Sequence, residues 1–272
     1  MSRPDVKKLE ELTAQLRRDV LTMLKEAKSG HTGSSLSCIE LIFTLYSYKL
    51  RFRAQEPQWD GRDRFVLSKG HGCPALYATL AHFGFFPKSE LSTLRKLGSL
   101  LQGHPQLGLP GLEASTGSLG QGLSMANGMA LAAKLDKKDI RIYSLLGDGE
   151  TNEGQVWEAA MTAAHYKLDN LCVFIDFNKL QIDGPLSDVK NVEPMKDKWW
   201  AFGWHVIEID GHNFNQIMDS LDEAQTVKGK PTLILAHTIK GKGISFIEHQ
   251  VGWHGIAPSA EELEKALKEL ES

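Results

Sequence analysis

Apolar positions in the first half of the chain repeat with helical spacing. The first series predicts an amphipathic helix that ends near residues 29–30, and its apolar members are Leu9, Leu12, Leu16, Val20 and Met23. The same kind of spacing predicts helices over 37–49, 74–83, 88–97 and 121–135. A short apolar run over 64–68 predicts a strand instead, and it leads directly into the glycine-rich sequence Lys69–Gly72.

From residue 140 the pattern changes to short apolar runs separated by helix-like stretches. The predicted strands are 140–146, 171–177, 204–210 and 232–238, and the predicted helices are 153–167, 195–202 and 213–228. Strands joined by helices imply right-handed crossovers, so we expect an α/β fold with a mostly parallel sheet and helices on both faces. No linker divides the chain, which predicts one domain over 1–272. Ligands of such sheets bind outside the carboxyl ends of the strands.

Composition excludes several classes of protein. The 31 Lys+Arg and 34 Asp+Glu give a net charge of −3 without a basic block, so no nucleic-acid partner is expected. The cysteines form no CxxC pair, which favours buried thiols in a reducing compartment. No signal-peptide core and no apolar run of about 18 residues is present, so we expect a cytoplasmic protein without a membrane partner. A serine-capped helix within 258–272 predicts a natural boundary at that end.

Oxygen-bearing side chains follow two of the predicted strands. Asp148 lies between two glycines in Gly147-Asp148-Gly149, and Asn178 ends the next strand. Hard oxygen ligands suit Mg²⁺ or Ca²⁺, and the following helix would direct its N-terminal N–H groups to the same place, so a diphosphate bridged by a cation fits. A strand–turn–helix connection without a ligand is the alternative. The sequence lacks the spacing of an EF-hand and of a dinucleotide-binding loop.

Four histidines lie beside glycines and form a second candidate constellation. They are His31, His71, His104 and His254. Small neighbours leave room for several imidazoles around one substrate, where they can donate hydrogen bonds and transfer protons. Each alone is also consistent with a turn histidine, and a zinc site is only weakly supported.

Two further features favour an anionic, heteroaromatic ligand. The sequence Ser115–Gly122 combines glycines with hydroxyl groups ahead of a helix, which would let backbone groups approach a ring. Lys69 and Lys240 lie beside glycines and are candidate anion contacts, with solvated loop lysines as the alternative.

Taken together, these motifs resemble those of the N-terminal, thiamine-diphosphate-binding half of transketolase. The segments that carry the resemblance are SGHTGSSLS (29–37), LSKGHGCPALYA (67–78), QGHP (102–105), STGSLGQGLSMANGMA (115–130) and GDGETNEGQVWEAA (147–160) followed by Asn178. They extend over nearly the whole chain in the family's order. Thr32 and Ser118 stand where the family commonly has proline, which leaves both loops less constrained but removes no functional group.

The resemblance implies thiamine diphosphate as cofactor, held through Mg²⁺ or Ca²⁺. The implied metal ligands are Asp148, Asn178 and the main-chain carbonyl of Leu180. The implied cofactor contacts are Ser34, Lys69, His71, Gly117, Leu119, Asp148, Gly149, Glu153, Asn178, Gln181, Lys240 and His254. The implied catalytic residues are His31, His71, His104 and His254. The implied reaction transfers a two-carbon ketol unit from a ketose phosphate such as xylulose 5-phosphate to an aldose phosphate such as ribose 5-phosphate.

The resemblance also implies a missing part. In the family, the glutamate that activates the cofactor lies in a following pyrimidine-binding domain, and too few residues follow Lys240 to form that domain or the C-terminal one. We therefore expect a separately encoded C-terminal subunit in an α2β2 assembly. The alternatives are a segment of 1-deoxyxylulose-5-phosphate synthase, a split enzyme for another pentulose phosphate, and a non-catalytic metal-binding assembly subunit.

Overall fold

The computed structural model describes residues 2–271 and has an α/β architecture. Met1 and Ser272, the two ends of the predicted 1–272 domain, lie outside the described residues, as does the last position of the predicted C-terminal segment. The α-helices are α1 (Val6–Ala27), α2 (Thr32–Leu36), α3 (Ile39–Thr44), α4 (Cys73–His82), α5 (Gln121–Leu135), α6 (Gly154–His165), α7 (Leu186–Val189), α8 (Met195–Ala201), α9 (Phe214–Thr226) and α10 (Ala260–Glu269).

Five parallel strands form the central sheet. They are β1 (Arg64–Leu67), β2 (Ile142–Gly147), β3 (Leu171–Phe177), β6 (His205–Asp210) and β7 (Thr232–His237), whereas β4 (Leu180–Gln181) and β5 (Gly184–Pro185) pair in a separate hairpin. The order across the sheet is β1-β2-β3-β7-β6, with every neighbouring pair parallel. The predicted α/β fold class is confirmed.

Hydrophobic cores lie on both faces of the sheet because successive strand residues point to opposite sides. In β3, Phe174 belongs to the core beneath α1, α3, α4 and α9, whereas Val173 and Ile175 belong to the core beneath α5, α6 and α8. Every residue of β3 is buried, as expected for a central strand covered on both faces. The three cysteines are also buried and unpaired, as predicted.

Two predicted helices differ from those observed. The segment predicted as one helix over 37–49 contains the end of the α2 turn, α3 and a π-helical turn over Leu45–Lys49, because Cys38 leaves helical geometry between α2 and α3. The helix predicted over 88–97 is a 3₁₀ helix over Lys88–Thr93, because the chain turns at Arg95 with a φ of 60°. At the other end of the chain, Ser259 and Glu262 form the capping box that starts α10.

None of the helices among residues 2–271 is both long enough and apolar enough to cross a membrane.

Candidate active site

The carboxyl ends of β1, β2 and β3 meet at one edge of the sheet and border a cavity of about 290 Å³. Most of the predicted site residues line it. They are His31, Ser34, Lys69, His71, His104, Gly117, Leu119, Asp148, Gly149, Glu153, Asn178, Leu180, Gln181 and His254. Gly147, Glu150 and Ile182 also line the cavity and were not predicted. The remaining predicted residue, Lys240, lies next to this set rather than on the cavity wall.

Asp148 follows β2 and is held by backbone amides. Its Oδ1 accepts a hydrogen bond from Gly149 N at 2.7 Å, and its Oδ2 accepts one from Lys179 N at 2.6 Å. The side chain is 2% exposed. Burial and the nearby charge of Asp176 raise the pKa of Asp148 to about 7. No Lys or Arg nitrogen lies within ion-pair distance of Asp148 in the part of the chain that the structure describes.

Asn178 and Leu180 provide the other predicted metal ligands. Asn178 Oδ1 accepts a hydrogen bond from Leu180 N at 3.1 Å, an arrangement that the left-handed backbone at Lys179 (φ 64°) permits. Together with Asp148 they would supply a carboxylate, an amide and a main-chain oxygen, which are ligands suited to Mg²⁺ or Ca²⁺. The buried carboxylate without a cationic partner therefore fits a bound divalent cation. Among residues 2–271, no group of three or more His, Cys, Asp or Glu side chains is arranged to hold a metal ion.

Glu150 connects two loops of the site and was not predicted from the sequence. It is 2% exposed, and its carboxylate accepts hydrogen bonds from Ser68 Oγ, from Gly120 N at 2.9 Å and from Gly147 N at 3.0 Å. Burial raises the pKa of Glu150 despite these donors. The side chain thus fixes the glycine-rich loop ahead of α5 against the end of β2. Its position in GDGE was the only signal in the sequence.

Lys69 differs from both of its predicted states. It is 1% exposed, so the solvated alternative is wrong, and its Nζ forms an ion pair with Asp176 and donates to the Ser34 carbonyl oxygen at 2.9 Å. Asp176, which is fully buried, also accepts hydrogen bonds from Ser37 and Thr238. The Lys69 ammonium is therefore occupied within the protein rather than free to contact an anion. Asp176 was missed, although an aspartate within an otherwise apolar strand is an unusual feature of the sequence.

The four predicted histidines form a compact cluster. The ring centroid of His31 lies 5.2 Å from that of His71, 6.1 Å from that of His104 and 5.5 Å from that of His254. The rings of His71 and His254 are 5.3 Å apart. His71 Nε2 also lies 3.1 Å from Ser34 Oγ. These residues come from four separate segments, so the fold brings together what the sequence separates by more than 200 residues.

The environment keeps these imidazoles uncharged. Burial, reinforced by the neighbouring cationic side chains, lowers the pKa of His31 to about 4 and that of His254 to about 3. It also lowers the pKa of His71 and of His104. At pH 7 each ring therefore has one N–H donor and one acceptor nitrogen, which suits hydrogen bonding and proton transfer with an uncharged hydroxyl or carbonyl group.

Gly117 lets the loop ahead of α5 approach the histidine cluster. Its φ is 142°, and a Cβ atom at this position would lie 2.9 Å from the His104 ring. Only glycine satisfies both conditions without strain. The loop is also fixed to the sheet, since Thr116 Oγ1 donates to the Leu67 carbonyl oxygen at 2.7 Å.

Lys240 approaches the cluster from the loop after β7. The side chain is 1% exposed, and its Nζ lies 2.9 Å from His254 Nδ1. Burial, with the charge of Lys69, lowers the pKa of Lys240 to about 8, so most of the ammonium is protonated at pH 7. As with Lys69, the solvated alternative is wrong.

A comparison with protein families matches residues 9–271 to the model described as transketolase, thiamine diphosphate binding domain. The chain belongs to this family. The transketolase resemblance is thereby confirmed, and with it a thiamine diphosphate-binding domain.

Individual relatives differ in length. The chain is 44% identical to one of the separate subunits of the apulose-4-phosphate transketolase of Phocaeicola vulgatus, over 97% of this chain and 94% of the relative. It is 46% identical to the 6-deoxy-6-sulfo-D-fructose transketolase subunit SqwG of Clostridium sp., over 94% of each chain. The crystal structure of transketolase from Campylobacter jejuni superposes with a TM-score of 0.93 at 34% identity, over 98% of this chain but only 43% of that one. This transketolase-family chain thus spans less than half of a complete transketolase and nearly all of the separate subunits.

Proposed function

We propose that this protein is the N-terminal subunit of a split, thiamine-diphosphate-dependent transketolase. The observation that supports this most strongly is the convergence of two sets of residues on one cavity. Asp148 and Asn178 offer oxygen ligands for a divalent cation at the strand ends, and four uncharged histidines surround the same space. A binding module without catalysis would need the first set but has no physical need for the second.

In this proposal, Asp148, Asn178 and the Leu180 carbonyl hold Mg²⁺ or Ca²⁺, and the cation neutralises the diphosphate. Gly149 and Glu153 contact the cofactor from the loop after β2, and Gly117, Leu119 and Gln181 contact it from the two neighbouring loops. Thiamine diphosphate, when bound, supplies the nucleophilic carbon and the electron sink for cleavage of a carbon–carbon bond next to a ketone.

The histidines act on the sugar. His31, His71 and His254 would hydrogen-bond the ketose oxygens, and neutral imidazole can accept the proton of a hydroxyl group and return it. His104, held against Gly117, would complete the wall on the other side. The low pKa values favour this role because a charged ring could not accept a proton.

The donor and acceptor follow from the family and not from the cavity. Transfer from xylulose 5-phosphate to ribose 5-phosphate remains the first prediction. Relatives of nearly the same length are named for apulose 4-phosphate and for 6-deoxy-6-sulfo-D-fructose, which supports a second candidate, a split enzyme for another ketose. These subunit-length relatives also support a C-terminal partner chain, and the α2β2 stoichiometry stays part of the proposal.

The test is an assay of ketol transfer with thiamine diphosphate and Mg²⁺, using the purified chain alone and mixed with the product of a neighbouring gene that encodes the C-terminal half. Xylulose 5-phosphate, apulose 4-phosphate and 6-deoxy-6-sulfo-D-fructose are compared as donors. We expect activity only in the mixture, and the preferred donor decides between the candidates. Activity of the isolated chain would contradict the split enzyme, and cofactor binding without activity in every mixture would favour a non-catalytic subunit.

A further inference from the structure

Three polar side chains from distant elements connect behind the loop that bears Lys240. Arg17 in α1 and Glu40 in α3 are 6% and 5% exposed and form a buried ion pair. The second carboxylate oxygen of Glu40 lies 3.3 Å from Nδ1 of His212, which follows β6. None of these residues lines the cavity described above.

The geometry fixes the tautomer of His212. Its Nε2 lies 2.8 Å from the backbone N–H of Ile239, which can only donate, so Nε2 accepts. The ring proton of the neutral imidazole is therefore on Nδ1 and faces Glu40. A carboxylate that orients an imidazole in this way defines which nitrogen acts on the next group.

The loop 239–243 is attached to this network on both sides of Lys240. Ile239 N donates to His212, and the Lys242 carbonyl oxygen accepts from Arg17 Nε at 2.9 Å. Gly241 N donates to the Gly33 carbonyl oxygen at 3.1 Å, which fixes the loop to the segment that bears His31. The backbone immediately before and after Lys240 is thus held in place.

Lys240 in turn determines the tautomer of His254. An ammonium group has only donors, so at the 2.9 Å Nζ–Nδ1 contact His254 Nδ1 accepts, and its ring proton is on Nε2. His254 would then present Nε2–H as the donor to a substrate oxygen. A shift of the loop by about 1 Å would break the contact and let His254 populate both tautomers.

We propose that His212, oriented by Glu40 and Arg17, is a positioning residue that holds Lys240 against His254 and thereby fixes the tautomer of His254. The relevance of this to catalysis rests on the proposed function, whereas the tautomer itself does not. His212 acts through the backbone of Ile239 and touches neither the cavity nor the other histidines of the cluster.

The test compares three variants of the full chain labelled with ¹⁵N-histidine. His212→Leu removes the acceptor for Ile239 N–H, and His212→Gln retains an oxygen at the position of Nε2. His205→Leu is the matched control, because His205 lies on the outer strand β6 and contacts only the exposed Glu223. Long-range ¹H–¹⁵N spectra report which nitrogen of each histidine carries the proton, and kcat and KM are measured in the complex with the second subunit.

We expect His254 to show a single Nε2–H tautomer in the unmodified chain, in His205→Leu and in His212→Gln. In His212→Leu we expect mixed tautomers at His254 and a fall in kcat of about 10-fold, with a smaller change in the KM of the sugar. An unchanged His254 spectrum in a folded His212→Leu would overturn the proposal, as would equal loss in His212→Gln. If the spectra change as expected but no mixture transfers a ketol group, the coupling stands and the proposed function fails.

Discussion

At the scale of single residues, two neighbours in the sequence have different roles. Lys69 and His71 belong to the same glycine-rich segment, and both line the cavity. The Lys69 ammonium is neutralised by Asp176 in the protein interior, whereas the His71 ring faces the cavity among other imidazoles. A substitution at Lys69 should therefore act on stability and one at His71 on turnover.

Replacing His71 with alanine should lower turnover by roughly 100-fold or more while leaving the affinity for thiamine diphosphate nearly unchanged, because the ring transfers protons and orients the sugar. Steady-state kinetics of the assembled enzyme and cofactor titration measure the two effects separately. His165→Ala, at an exposed position outside the site, is the control. An unchanged rate would refute a catalytic role for His71.

Replacing Lys69 with methionine should lower the free energy of unfolding by about 3–5 kcal/mol, because Asp176 is then a buried carboxylate without its cation. Urea denaturation of the full chain measures the loss. The double variant Lys69→Met/Asp176→Asn should recover part of it, since neither charge remains. A double variant as unstable as the sum of the single ones would show that the two groups are not coupled.

The ion pair of Arg17 with Glu40 predicts a pH dependence of stability. Burial alone would raise the pKa of Glu40, but the charge of Arg17 and the contact with His212 outweigh it and lower the pKa to about 2. The stabilisation is thus fully present above the ordinary value of 4.5 and is lost as the pH falls from there toward 2. The difference in unfolding free energy between the unmodified chain and Glu40→Gln should therefore be largest near neutral pH and should shrink below pH 4.5. A difference that is constant between pH 7 and pH 3 would contradict it.

At the scale of elements, the sequence predicted those with a clear period and missed those without one. The bounds of α5 and β3 agree with the prediction, because each has a regular apolar pattern bounded by glycine, Asp or Asn. The hairpin of β4 and β5 has two residues in each strand, too few to show a period. The break at Cys38 lies in a continuous apolar run, where packing rather than pattern decides the geometry.

The site was predictable to a similar degree and for a related reason. Residues in short motifs with glycine, such as Asp148 and His71, could be identified because the spacing is local. Asp176 and His212 act through contacts with residues more than 20 positions away, and nothing in their immediate neighbourhood indicates a partner. Only the folded chain reveals those pairs.

Helix α5 offers a matched pair of glycine substitutions. A Cβ atom on Gly122 would lie 2.4 Å from Ser68 Oγ and 2.7 Å from Ser68 Cα, whereas one on Gly128 would meet nothing within 4 Å. Gly122→Ala should therefore destabilise the full chain by about 1–3 kcal/mol, because α5 must move away from the end of β1. Gly128→Ala should stabilise it by roughly 0.5–1 kcal/mol, since alanine favours the helix. Urea denaturation measures both, and effects of the same sign would disagree with this packing.

At the scale of the whole molecule, the fold places its charged chemistry at one edge of the sheet. The carboxyl ends of the parallel strands carry Asp148, Asn178 and the glycine-rich loops, while the two cores support them from either face. A ligand bound at this edge contacts several strands at once. Its binding free energy should therefore stabilise the entire chain and not a single loop.

This linkage predicts how removal of the metal changes stability. At a thiamine diphosphate concentration about 100 times its dissociation constant in the presence of Mg²⁺, the free energy of unfolding should rise by about 2.7 kcal/mol. Chelation with EDTA should abolish the rise, because the diphosphate then faces the Asp148 carboxylate without a cation between them. Asp148→Asn should do the same at the original cofactor concentration, whereas Asp183→Asn, an exposed position in the nearby hairpin, should retain the full effect. Stabilisation that survives both EDTA and Asp148→Asn would mean that the cofactor binds this chain without the predicted metal ligand.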